Sequence, residues 1–217
     1  MLTSANVMRS ARPCLVLAVV VIDCILLCAL QGPWNYCWLF AVGCWVVLNL
    51  YWAWLARNTT PVLSRWSWLL WLVSIGEFLL YSLPLSSIPI LGTRLVPRWP
   101  ALEVFGAAMC AVGVGVAIWS RRTLAGNWSP VVALRDHHAL VQTGPYAIIR
   151  HPIYFGFMLS AVGMILALGE MRALVLLFDS GVFFRRLKPE EKILRATYPN
   201  EYPEYERRVR RLLPYIW

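Results

Sequence analysis

The stretch at residues 153–184, IYFGFMLSAVGMILALGEMRALVLLFDSGVFF, decides the architecture of this chain. It is too long for one ordinary crossing of a bilayer, which takes roughly 20 apolar residues as helix. Gly169-Glu170 interrupts it near the middle, and Arg172 follows directly. A single long tilted helix would leave those charges at mid-length in lipid, where unpaired charge is costly. The stretch therefore reads as a helical hairpin, two short or tilted helices meeting at a polar tip. Charge asymmetry favours the same reading, because a single pass would export the basic cluster between Arg185 and Arg211.

The rest of the chain fits that assignment. Its 217 residues are 59% hydrophobic and only 14% charged, whereas a soluble domain averages about a quarter charged residues. Apolar runs at about residues 13–30, 34–56, 66–91 and 101–120 are each long enough to span. The expected fold is an all-α polytopic integral membrane protein with about four spans and a C-terminal helical hairpin. Residues 1–120 read as N-terminal transmembrane helices, and residues 121–217 as the part that carries chemistry. No cleavable signal peptide is expected, since no small-residue cleavage site clearly follows the first apolar run.

In this topology Arg94, Arg98 and Arg172 lie on one side and every other lysine and arginine on the other. The positive-inside rule then places both termini in the cytosol. The formal charge of +9 is concentrated on that side, where anionic headgroups attract basic segments, and needs no nucleic acid. Trp34, Trp66, Trp68 and Trp99 fit an interfacial belt.

The six cysteines, Cys14, Cys24, Cys28, Cys37, Cys44 and Cys110, all lie in apolar runs without a CxxC pair. They behave as small hydrophobes rather than as disulfide or metal partners. Gly106, Gly113 and Gly115 would let the fourth span pack closely. Asp23 and Glu77 lie within spans and are each a site candidate or an interhelical hydrogen-bonding group.

Polar residues with possible chemistry concentrate in the last hundred positions. No dinucleotide fingerprint, phosphate-binding loop, HExxH or GxSxG motif occurs. The adjacent His137-His138 has no clustered carboxylates nearby, so no metal site is expected.

Gly144–Tyr154, GPYAIIRHPIY, places Pro152 well as the first residue of a helix. A helix start is its positive end and suits an anion, yet Arg150 and His151 occupy it. Two explanations stand level on physics alone. Arg150 snorkels at the membrane surface beside a histidine cap, or the helix end receives a carboxylate or phosphate. Downstream, Arg186 and Glu190 are four residues apart and would share a helix face, or form a surface ion pair worth about 0.3–0.5 kcal/mol. Pro189 between them makes a bend at the membrane surface at least as natural as a regular helix. Last comes the aromatic and basic tail YPNEYPEY, residues 198–205, followed by Arg207, Arg208, Arg210 and Arg211, alone an interfacial segment.

The ordered set LVQTGPYAIIRHPIYFG, a hydrophobic hairpin, then R…EEKIL…Y…EYPEY and RRLLP resembles the isoprenylcysteine carboxyl methyltransferase family in its bacterial branch, and is similar to phospholipid methyltransferases. The resemblance covers roughly residues 121–214 and implies S-adenosylmethionine bound in a cytosolic pocket closed by the C-terminal segment. It further implies that the cofactor contacts His138, Ala139, Leu140 and Val141, then Tyr146, His151, Pro152, Ile153 and Tyr154. Arg150, at the helix end, and Tyr202 and Tyr205 are expected to join them as one wall of the cofactor pocket. By the same resemblance Glu190 binds the cofactor, and Arg186 addresses the methyl acceptor. Val131 departs from a cofactor-binding glutamine of the eukaryotic enzymes, and Pro199 from a glycine.

Methyl transfer from a sulfonium relies on positioning and desolvation. A carboxylate acceptor is already ionised at neutral pH, and an arginine holds it bidentately without protonating it. The expected activity is S-adenosylmethionine-dependent O-methylation of an isoprenylcysteine-type or other lipid carboxylate, by an enzyme of a bacterial inner membrane with its site in the cytosol. The expected partners are a prenylated or lipid acceptor and membrane lipid, with neither nucleic acid nor metal. The rival readings are a lipid amine N-methyltransferase, an NADPH-dependent sterol-type membrane reductase and a non-catalytic membrane scaffold.

Overall fold

The structure is a computed structural model and describes residues 36–56, 76, 79–80, 88–124 and 140–213. Its helices are α1 (Tyr36–Ala56), α2 (Pro100–Leu124), α3 (Pro152–Leu168), α4 (Val175–Thr197) and α5 (Glu201–Arg208). Single 3-10 turns at Gly144–Ala147 and Met171–Leu174 precede α3 and α4. Among the described residues there is no strand, only isolated bridges between Arg94 and Glu170 and between Ile149 and Arg210. The all-α expectation holds for the described residues.

Helix α1 coincides with the expected span at 34–56, and α2 contains the one at 101–120. The runs at 13–30 and, for the most part, 66–91 lie outside the described residues, as do Asp23 and Glu77. Among the described residues α2 alone is long and apolar enough to cross a membrane, beside shorter apolar helices at Tyr36–Trp52 and Pro152–Leu168. Helix α2 opens on Pro100, carries Glu103 in its first turn and Arg121 and Arg122 in its last, the polarity that a helix dipole favours. Trp38, Ala41, Val42, Trp45 and Leu48 are the buried stripe of α1, at the three- and four-residue steps of one helix face. Its exposed residues include Tyr36, Phe40, Val47 and Trp54, so apolar side chains lie on its exposed face as well as on its buried one.

The chain forms two compact units. The first comprises residues up to Ala107 together with Met164–Val175. Here α3 ends as the sequence leads one to expect. Gly169 adopts φ +71°, a left-handed cap that glycine takes without strain, and its N–H donates to the Ile165 carbonyl at 2.8 Å. The Gly169 carbonyl accepts from Leu95 N–H at 2.9 Å and Val96 N–H at 3.2 Å, while Met171 N–H donates to Thr93 at 2.8 Å. Glu170 at this tip is buried, and Arg94 lies 3.6 Å from Glu103. The break expected at Gly169-Glu170 is therefore real.

The second unit comprises Ala108–Gly163 and Leu176–Trp217. In it α2 and α3 cross with backbone against backbone. A Cβ on Gly156 would lie 2.6 Å from the Gly113 carbonyl oxygen and 2.7 Å from the Ala117 nitrogen. Of the glycines expected to permit close packing, Gly113 does so, whereas a Cβ on Gly115 would meet nothing within 4 Å and that glycine takes no part. The proline reading also needs correction. Helix α4 continues through Pro189 without a break, with the ring on an exposed position, so Arg186 and Glu190 share one helical face.

Candidate active site

The site grows from the entry to α3. Gly144, at φ +60°, starts the turn that buries Pro145 and Tyr146. The chain then runs extended beside the C-terminal segment. Arg150 N–H donates to the Arg210 carbonyl at 2.8 Å and His151 N–H to the Arg211 carbonyl at 3.0 Å. Residues 209–211 thus strap the start of α3. The strap is held by α5, whose Tyr202 and Tyr205 turn inward with Val209 against Leu140, Leu194 and Tyr198. Tyr205 donates its hydroxyl to the Tyr146 carbonyl at 2.7 Å. Positions 198, 202 and 205 follow helical spacing, and Glu201, Glu204, Arg207 and Arg208 face solvent. Burial pushes the Tyr146, Tyr202 and Tyr205 hydroxyls well above the ordinary phenol range, so they stay neutral.

Two adjacent acids on α4 divide the site. Glu190 accepts a short hydrogen bond from the Tyr154 hydroxyl, with Arg186 Nε 3.7 Å away and His151 Nδ1 3.8 Å away. The His151 ring stacks on Tyr154 with centroids 5.8 Å apart. Arg186 is half-exposed, at 49% of its side chain. Three of the expected site residues, His151, Tyr154 and Arg186, are therefore gathered around the carboxylate of a fourth, Glu190.

Glu191 faces the other way and is 1% exposed. Its Oε1 accepts from Arg150 Nη2 at 2.9 Å, Arg150 Nε at 3.1 Å and Arg211 Nε at 3.0 Å. Its Oε2 accepts from Arg211 Nη2 at 2.6 Å. His151 Nε2 lies 3.4 Å from Oε1. Burial raises the Glu191 carboxyl, but hydrogen bonds from His151 and Arg211 and the charge of Arg150 outweigh it and hold the group well below the usual carboxylate range. Glu206, hydrogen-bonded by Arg195 at 2.6 and 2.9 Å, is also lowered.

Arg150 is occupied inside the protein. Besides Glu191, it donates through Nη1 to the carbonyls of Glu206 and Val209, both at 2.9 Å, and lies 3.3 Å from the Glu206 carboxylate. The cation at the positive end of α3 is thus neutralised by a buried acid from α4. Glu191, Glu206 and Arg211 are the members that sequence reasoning did not single out. The signal for Glu191 was the doubled acid in PEE, just past Arg186 and Leu187. Pro152 is fully buried at the helix start, and Ile153, Leu140 and Val141 are partly buried. His137, His138, Ala139 and Val131 lie outside the described residues.

The sequence model of the isoprenylcysteine carboxyl methyltransferase family matches residues 106–196, which include Arg150, His151, Tyr154, Arg186, Glu190 and Glu191. Over this segment the chain is similar to that family. Among curated isoprenylcysteine carboxyl methyltransferases, the protein-S-isoprenylcysteine O-methyltransferase of Saccharomyces cerevisiae is 32% identical over 117 residues, 52% of this chain and 49% of that protein. Its namesake from Homo sapiens is 31% identical over 128 residues, 54% of this chain and 45% of the relative. The cobalt-zinc-cadmium resistance protein CzcN of Cupriavidus metallidurans is 28% identical over 126 residues, 57% of this chain and 52% of that protein. The chain spans about half the length of the curated relatives it matches. The family match ends at 196, before α5 and the strap.

Proposed function

We propose that this protein is an S-adenosylmethionine-dependent methyltransferase that O-methylates the carboxylate of an isoprenylcysteine-type or other lipophilic acid. The observation that carries the reading is the Glu190 carboxylate, which collects the Tyr154 hydroxyl, Arg186 and His151 within the segment matched to the family.

The donor set fits a methyl donor that carries an ammonium and a sulfonium. Glu190 offers an anion, and His151 Nδ1 makes no hydrogen bond among the described residues, so both accept from an ammonium. The face of Tyr154 or Tyr146 suits a sulfonium. Bound there, S-adenosylmethionine would supply an electrophilic methyl group to a carboxylate oxygen, its carbon–sulfur bond breaking as the carbon–oxygen bond forms. The chain's own residues position rather than protonate. The Tyr154 hydroxyl fixes the orientation of Glu190. Arg186, half-exposed on the same face of α4, offers a planar fork to the acceptor carboxylate. That acceptor is ionised at neutral pH, so the chemistry calls for no general base.

We also take the chain to be polytopic, with about four spans besides the hairpin, residing in a bacterial inner membrane with its termini and site cytosolic. Support comes from the apolar runs, the exposed apolar side chains of α1 and α2 and the one-sided distribution of basic residues. His138 and Ala139 are further cofactor contacts in this reading. Tyr202 and Tyr205 act by holding the strap, and Arg150 by anchoring it.

The test is incubation of the purified protein in lipid nanodiscs with methyl-labelled S-adenosylmethionine and a small prenylcysteine. The expected product releases its label as methanol in alkali, as a methyl ester does. Alkali-stable label on a lipid amine would replace O- by N-methylation. No transfer to either acceptor, with no binding of S-adenosylhomocysteine, would overturn the proposal.

A further inference from the structure

Glu191 touches none of the groups assigned to the acceptor, yet it is the more deeply buried of the two acids. We propose that it is a positioning residue: it fixes the proton of the neutral His151 imidazole on Nε2, leaving Nδ1 as a lone-pair acceptor beside Glu190.

The geometry leaves one tautomer satisfied. Glu191 Oε1 already receives N–H groups from Arg150 and Arg211, so it stands towards His151 as an acceptor. The ring nitrogen 3.4 Å from it must then be the donor. With the proton on Nδ1 instead, the Nε2 lone pair would face a carboxylate oxygen. The Nδ1 proton would gain little in return, because Glu190 Oε2 at 3.8 Å is beyond hydrogen-bond reach. The hydrogen bond made by one ring nitrogen sets the role of the other. The surrounding charges agree. His151 is faced by Glu190 and Glu191 from α4, and stacks on Tyr154 of its own helix. Glu191 is in turn matched by Arg150 and, from the strap, by Arg211. The acid nearest Nε2 is therefore already balanced by guanidinium groups and does not require an imidazolium.

The consequence rests on the proposed function. Nδ1 and Glu190 form a pair of adjacent acceptors, which suits a primary ammonium with several N–H groups, as on the amino-acid end of the methyl donor. The protein thereby sets a neutral acceptor beside an anionic one, using a carboxylate outside the reaction.

Imidazole 15N NMR on protein labelled only at histidine tests the proposal without activity, with His151→Gln identifying the signal. The wild type at pH 8 is expected to show the Nε2–H tautomer for His151. Glu191→Gln, which replaces the fixed acceptor by an amide, is expected to mix the tautomers and weaken S-adenosylhomocysteine binding roughly tenfold. Glu206→Gln loosens the same strap without touching His151 and is expected to leave the tautomer as in the wild type. An Nδ1–H signature in the wild type would overturn the proposal, and so would equal tautomer shifts in both variants. If Glu191→Gln does not fold, the wild-type spectrum still decides. Failure of wild-type protein to bind S-adenosylhomocysteine would instead sink the methyltransferase reading and leave the tautomer result standing.

Discussion

Arg150 and Glu191, 41 residues apart in sequence, meet through two hydrogen bonds at 2.9 and 3.1 Å where almost no solvent reaches. This contact ties the start of α3 to the C-terminal half of α4, and Arg211 brings the C-terminal strap to the same carboxylate. Glu191→Leu should therefore destabilise the protein by about 3–5 kcal/mol, the usual cost of stranding a buried charge partner. Tryptophan-monitored unfolding in detergent measures it, with Glu201→Leu on the exposed face of α5 as a control expected to change little.

The same carboxylate gives the stability a direction with pH. Its folded-state value lies below the ordinary carboxylate range, so its contribution is complete above the unfolded value of about 4.3. The contribution is lost as pH falls from there towards the folded value. Glu206, also lowered, has the same sign. Tm should drop on acidification below about pH 4.5, and Glu191→Gln should show a lower Tm at neutral pH with a flatter acid limb.

Packing between α2 and α3 is tested by single methyl groups. Gly156→Ala would push Cβ to 2.6 Å from a backbone oxygen of Gly113 and force the helices apart, costing about 1–3 kcal/mol. Gly115→Ala meets open space and should be tolerated. Thermal unfolding of the two variants side by side provides the comparison.

Arg186 gives the clearest functional prediction. Arg186→Lys keeps the charge but loses the planar fork, and should lower kcat/KM for a carboxylate acceptor about tenfold or more. Affinity for S-adenosylhomocysteine, measured by calorimetry, should stay within about twofold. An equal loss in both quantities would move Arg186 from acceptor to donor.

Different parts of this structure were legible to different degrees for physical reasons. The turn at Gly169 could be read because glycine followed by charge inside an apolar run has few other uses, and the observed φ of +71° is one that glycine adopts freely. The grouping of Arg186 with Glu190 was visible from four-residue spacing. Pro189 misled, because a proline within a helix interior is generally a break, whereas here its ring faces out and α4 continues. Glu191 escaped notice because helical phase alone turns two neighbouring acids about 100° apart, and only the fold reveals which one enters the interior. The puzzle of a cation at the positive end of α3 has the same source. Its counter-ion comes from a helix that sequence distance kept out of view.

The two acids of α4 also make the hairpin a measuring device for its own length. One extra residue between Leu176 and Phe184 would advance Glu190 and Glu191 by about 1.5 Å and rotate them by about 100°, so that neither would point at the partner it now has. His151 and Tyr154 are fixed on the other arm and would not follow. Four extra residues would nearly restore the phase but lift both carboxylates by about 6 Å. The exposed positions in the first turns of α4 can thus change side chains freely within apolar chemistry, while the number of turns is counted by the carboxylates at the end.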